Sequence, residues 1–159
     1  MKKKAFITGI NGQDGSYLAE FLLQEGYDVF GIVRRNSVCE NQESRVTHLE
    51  KEITTFYGDL LDSASLAKCL GEVQPDEIYN LGAQSHVRIS FDIPQFTAEV
   101  NALGVLNLLE ACKNTCPSAR LYQASSSEMF GDSVDSDKYQ RESTPMTPVS
   151  PYGCAKLFG

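Results

Sequence analysis

The chain has 159 residues with 42% hydrophobic content, enough for one domain with a sizeable core, and no apolar run in it approaches the length of a membrane span. Its formal net charge of −7 argues against nucleic acid as the main partner, because a phosphate backbone is bound by clustered positive charge. The five cysteines (Cys39, Cys69, Cys112, Cys116 and Cys154) are odd in number and irregular in spacing, so they form no disulfide framework, and no histidine completes a metal set beside Cys112 and Cys116. The basic leader Met1-Lys2-Lys3-Lys4 is followed by too short an apolar stretch for an export signal, which makes the cytoplasm the expected compartment.

In chain order, Lys3 to Thr8 reads as a short buried strand, followed by a glycine-rich loop from Gly9 to Gly15. Ser16 to Glu25 reads as an amphipathic helix with Leu18, Phe21 and Leu22 on one side, stopped by Gly26. Asp28 to Val33 is a second strand, Arg34 to Glu43 a polar loop, and Ser44 to Glu50 a short helix. Ile53 to Tyr57 is a third strand, Ala64 to Val73 a helix, and Glu77 to Asn80 a fourth strand after the break at Gln74-Pro75-Asp76. A long helix is predicted from Pro94 to Asn114 and a fifth strand from Ala119 to Ala124; Ser125 to Pro151 reads as loop. Strands alternating with helices predict an α/β fold, a Rossmann-like doubly wound parallel sheet in the order 3-2-1-4-5. The pattern covers residues 1–159 as one doubly wound domain, incomplete, since such a sheet usually continues with at least one more strand.

Gly9, Gly12 and Gly15 stand between a strand and a helix, where glycines permit a tight turn and let the backbone approach a pyrophosphate at the helix N-terminus. Asn11, Gln13 and Asp14 complete that cofactor loop. At the end of the second strand an acidic residue would select NAD; here Arg34 and Arg35 stand instead, suited to the 2′-phosphate of NADP. The other reading of these arginines is a solvated or subunit-interface role. Asp59 and Leu60 follow the third strand, where Asp59 either meets an adenine amino group or caps a helix with Asp62. Leu81, Ala83 and Ser85 follow the fourth strand and bring small side chains to the switch point of the sheet.

Near the chain end, Tyr152 and Lys156 are four apart and share a helix face, so the lysine cation favours the phenolate and makes the tyrosine a usable base. Ser125-Ser126-Ser127-Glu128 adds hydroxyls and a carboxylate. In this order the pieces resemble the extended short-chain dehydrogenase/reductase family. The stretches Phe6 to Leu18, Gly31 to Arg35, Asn80 to Val87 and Tyr122 to Glu128 resemble its GDP-mannose 4,6-dehydratase branch. The resemblance implies a lyase with NADP that converts GDP-mannose to the 4-keto-6-deoxy sugar nucleotide plus water. Tyr152 would take the C4 hydroxyl proton, with Ser126 hydrogen-bonded to the C4 oxygen. Glu128 would remove the C5 proton and water would leave from C6, while Lys156 holds the nicotinamide ribose. It also implies a homo-oligomer, dimer or tetramer, and a place in GDP-fucose biosynthesis. His86 would sit beside the site and order its loop.

Ser126 stands where threonine is usual and keeps the hydroxyl; Phe96 stands where a tyrosine often lies near the cofactor and loses one. The stretch from Asp132 to Arg141 is more acidic and slightly longer than usual. Three alternatives stay open: a GDP-heptose dehydratase, a UDP-glucuronate decarboxylase sharing the Ser127-Glu128 pattern, and an inactive nucleotide-binding fragment. The last follows from the helix of Tyr152 and Lys156 ending three residues later.

Overall fold

The computed structural model describes residues 2–34 and 44–159. Five strands, β1 (Lys4–Thr8), β2 (Asp28–Val33), β3 (Ile53–Tyr57), β4 (Glu77–Asn80) and β5 (Arg120–Gln123), form one sheet in the order β3-β2-β1-β4-β5. Every pairing is parallel. The observed ends lie within one residue of the predicted ones. A central parallel strand is covered on both faces and hydrogen-bonded on both edges, so it reads as an unbroken apolar run. β1 does so: Ala5, Phe6, Ile7 and Thr8 are fully buried.

The residues group into two compact units. The first, Met1–Gly82 with Asn107–Ala124, holds the sheet. Its helix α1 (Gln13–Gln24) begins three residues before the predicted start, so Gly15 lies in its first turn. α1 buries Gly15, Ser16, Ala19 and Leu22, whose spacing marks one helical face. Phe21 lies off that face and is exposed, a correction to the predicted apolar side. Ala19 and Leu22 pack into a cluster with Ala5, Ile7, Ile10, Val29 and Ile53. Helix α2 (Ser63–Val73) is capped by the Asp62 carboxylate, which accepts from the amides of Ala64 and Ser65. Thr47–Leu49 forms a single 3-10 turn where a short helix is predicted, and His48 pairs with Glu20 across 2.8 Å.

At the N-terminal edge of this sheet Glu77 is nearly enclosed. Its carboxylate accepts from Tyr79 (2.7 Å), Arg120 (2.5 Å), Tyr27 (3.4 Å) and Lys3 (3.5 Å). The Tyr79 hydrogen bond, supported by Arg120 and Lys3, holds this carboxyl below its ordinary range against the opposing effect of burial. Burial first, then Glu77, pushes the Tyr79 phenol up to about 12.

The second unit, Ala83–Leu106 with Ser125–Gly159, is helical. It contains α3 (Val87–Ser90), α4 (Pro94–Ala98), a π-helical turn (Glu99–Leu103) and α6 (Pro151–Phe158), while α5 (Gly104–Thr115) continues the chain from the π turn. The single long helix predicted from Pro94 is thus three segments, and α3 falls where no element is predicted. A 3-10 turn, Ser127–Met129, and an isolated bridge between Gly131 and Thr147 order part of the predicted loop. α6 packs on α3, α4, the π turn and the 3-10 turn. Among the described residues no helix is long and apolar enough to cross a membrane, and no cluster of His, Cys, Asp or Glu could hold a metal ion.

Candidate functional site

In the first unit the loop after β1 is shaped by what glycine leaves out. Gly9 has φ +70°, and a Cβ there would lie 2.9 Å from the Gly82 nitrogen. A Cβ on Gly15 would collide with the Gly9 carbonyl oxygen and stand 2.8 Å from the Ile10 Cα. The Gly12 amide donates to the Gly9 carbonyl (2.9 Å), closing the turn. Gly12 occupies the N-cap position of α1 and brings no capping side chain, so the leading amides meet no side-chain acceptor there. Asn11, Gln13 and Asp14 line this helix start on its solvent side.

Thr8, Asn80 and Gln123 form a relay across the C-terminal ends of β1, β4 and β5. The Thr8 hydroxyl donates to Asn80 Oδ1 (2.5 Å), and Asn80 Nδ2 donates to Gln123 Oε1 (2.7 Å). The Gly82 amide donates to the Thr8 hydroxyl (2.9 Å). The backbone after β4 is therefore pinned beside Gly9, with Leu81 half-buried. Asp59 accepts from the Leu61 amide through Oδ1 (2.9 Å) and lies half-buried beside buried Leu60. The capping role falls to Asp62 alone. Arg34 follows β2 directly and is exposed; Arg35 lies outside the described residues.

The second unit brings together the four residues expected to do chemistry. Ser126 caps the 3-10 turn: its hydroxyl accepts from the Glu128 amide (3.2 Å), and its carbonyl accepts from Met129 (3.2 Å). An accepting bond uses a lone pair and leaves the hydroxyl hydrogen to be donated. Ser150 is the N-cap of α6, its hydroxyl accepting from Gly153 (3.0 Å), and Pro151 stands at the first helical position. Tyr152 and Lys156 are 8% and 5% exposed, and the lysine ammonium lies 5.9 Å from the centre of the tyrosine ring. Burial pushes the Lys156 ammonium below its ordinary range. Gly153 is pressed against the Glu128 backbone: a Cβ there would stand 2.6 Å from the Glu128 carbonyl oxygen. Ala83 is half-buried and Ser85 exposed on the segment leading to α3, and Phe96 is half-buried in α4.

Two residues of this unit escape sequence reasoning. Asn101 is 1% exposed inside the π turn and clamps Gln84 twice, accepting from its amide (2.8 Å) and donating to its carbonyl (2.9 Å). The π turn rotates the helix locally so that a polar side chain faces this segment. Ser90 ends α3 and accepts from the Tyr152 amide (3.3 Å). The readable signal for Asn101 is a single amide side chain between Val100 and Ala102 in an apolar helical stretch. His86 caps α3 through Nδ1, accepting from the Ile89 amide at 3.3 Å.

A parallel sheet in this order, with an uncapped glycine turn after its first strand, defines the doubly wound class of nucleotide-binding folds. The chain belongs to the GDP-mannose 4,6-dehydratase family: the family model described as GDP-mannose 4,6 dehydratase matches residues 6–159. It is 52% identical to the GDP-mannose 4,6-dehydratase of Vibrio cholerae serotype O1 over 166 residues, covering 99% of this chain and 43% of that protein. It is 52% identical to the GDP-mannose 4,6 dehydratase of Homo sapiens over 163 residues, covering 97% and 43%. Its fold is similar to that of the Thermus thermophilus UDP-glucose 4-epimerase in complex with NAD, with TM-score 0.82, 30% identity, and coverage of 97% of this chain and 47% of that one. The chain thus spans less than half the length of the curated relatives it matches.

Proposed function

We propose that this chain is the NAD(P)-binding domain, together with the catalytic tyrosine, lysine, serine and glutamate, of a GDP-mannose 4,6-dehydratase that uses NADP in the cytoplasm as a homo-oligomer. Three things support a dinucleotide: the glycine-only approach at Gly9 and Gly15, the α1 start without a capping side chain, and the NAD complex of the similar epimerase. Gly9, Asn11, Gly12, Gln13, Asp14 and Gly15 would hold the pyrophosphate. Asp59 and Leu60 would hold the adenine side, with Leu81, Ala83 and Ser85 along the nicotinamide half. Arg34 at the end of β2, with Arg35 beside it in sequence, supports NADP over NAD. When bound, the nicotinamide supplies reversible two-electron chemistry that oxidises the sugar at C4 and reduces it again at C6.

The proton transfers fall to side chains of this chain. Tyr152, beside a buried lysine cation, accepts the proton of the C4 hydroxyl. Ser126 donates to the C4 oxygen through its hydroxyl hydrogen, which the bond accepted from the Glu128 amide leaves available. A C4 ketone acidifies the C5 proton, which Glu128 removes, and the C6 hydroxyl leaves as water. Lys156 would hold the nicotinamide ribose, as the family resemblance implies. The observation that carries this reading is the contact of the Glu128 backbone with Gly153, which brings the segment of the C5 base against the helix of the C4 base.

The test is incubation of the full-length protein with GDP-mannose and NADP⁺, followed by mass spectrometry of the sugar nucleotide. Loss of one water with no net NADPH is expected. Unchanged GDP-mannose overturns the substrate assignment.

A further inference from the structure

We propose that Ser90 is a positioning residue for the catalytic tyrosine: its buried hydroxyl fixes the first turn of α6 through the Tyr152 amide. This rests on the dehydratase reading and adds a residue to it. The leading amides of α6 can be accounted for one by one. Pro151 has none, Gly153 donates to the Ser150 hydroxyl (3.0 Å) and Cys154 donates to the Ser150 carbonyl (2.9 Å). Tyr152 donates to Ser90, 62 residues away in sequence. Of these amides, only that of the reacting residue is anchored outside the helix's own segment.

Ser90 is built to hold still. It is fully buried, and its hydroxyl donates to the Val87 carbonyl (2.6 Å), which fixes the rotamer and polarises the oxygen as an acceptor. Its own amide donates to the His86 carbonyl (3.2 Å), and the His86 ring caps the same short helix. The anchor is thus a closed turn, and its remaining lone-pair capacity is aimed at Tyr152. With an alanine at 90 the Tyr152 amide is buried without an acceptor, and the first turn of α6 shifts to find one. Displacing a reacting group by a fraction of its bond length from the substrate proton slows proton transfer while leaving substrate contacts elsewhere intact.

The experiment uses the full-length protein and the variants Ser90→Ala and Ser90→Cys, the latter close in volume and a poorer acceptor. Expected are kcat values in the order wild type, S90C, S90A, with S90A down about ten- to a hundredfold and the KM for GDP-mannose held within about threefold. NADP affinity should be unchanged in both. Equal kcat in all three proteins overturns the proposal, and so does a fall in kcat accompanied by matching losses in KM and NADP affinity. Should S90A not fold, S90C is read against wild type by the same two criteria. A wild-type protein that leaves GDP-mannose intact is a failure of the dehydratase reading; an active wild type with unaffected variants is a failure of the Ser90 role alone.

Discussion

At Gly15 a single methyl group is enough to spoil the turn after β1, because its place is already taken by the Gly9 carbonyl. Gly15→Ala should therefore push the loop outward, costing about 1–3 kcal/mol of stability in denaturant unfolding of the full-length protein, and weaken binding of the proposed NADP in titration calorimetry. Tyr152→Phe removes the proposed base, and kcat of the full-length protein should fall by about 10²- to 10⁴-fold. Glu128→Gln should lower dehydration by a similar factor of about 10²–10⁴ and also abolish entry of solvent deuterium at C5, which mass spectrometry of the product in D₂O would reveal. Retention of deuterium entry in that variant would move the C5 base elsewhere. Gly15 and Tyr152 are legible in the sequence because each belongs to a spaced set, three glycines in one loop and a tyrosine and a lysine four apart, and Glu128 is legible through the resemblance of the stretch from Tyr122 to Glu128. Asn101 and Ser90 are not, since a lone polar side chain acquires its role only when a distant backbone arrives beside it.

Among the elements, the strands are readable and the helices only partly so. A buried parallel strand is a short apolar run bounded by loop residues, and all five stand where the sequence places them. The helical run from Pro94 reads as one piece because a π turn carries no compositional mark; it is a change of hydrogen-bond register inside a pattern that stays helical. That turn has a task, since it lets Asn101 close both backbone groups of Gln84. Asn101→Ala should leave a part-buried amide and carbonyl of Gln84 unpartnered and destabilise the full-length protein by about 1–3 kcal/mol, measured by denaturant unfolding. A variant as stable as wild type would mean that water replaces the clamp. α3 escapes the sequence for a related reason: four residues held by a histidine cap and a buried serine are too short to show a period.

Across the whole chain, the alternation of β and α elements predicts a parallel sheet and the glycine turn after the first strand points to the order 3-2-1-4-5, while the grouping of 83–106 with 125–159 joins stretches remote in sequence and is marked by no change in composition. The Glu77 cluster, which ties together β4, β5 and the residues flanking β1 and β2, makes a pH-dependent contribution to stability at both ends of the scale. The Glu77 carboxyl sits below its ordinary 4.5, so its stabilising effect is complete above that pH and is lost as pH falls through the lower folded value. Tyr79 is pushed from 10 to about 12, so its contribution is complete below pH 10 and disappears between there and about 12. Glu77→Gln should flatten the acid limb of a stability–pH curve, and Tyr79→Phe the alkaline limb. Limbs unchanged by both substitutions would place the titrating groups elsewhere.

The contact between Gly153 and the Glu128 carbonyl makes two positions 25 apart in the chain a single choice for anyone redesigning the site. Side chains tried at residue 128 keep their backbone position only while 153 stays glycine. Conversely, any side chain introduced at 153 rewrites position 128 without touching its codon.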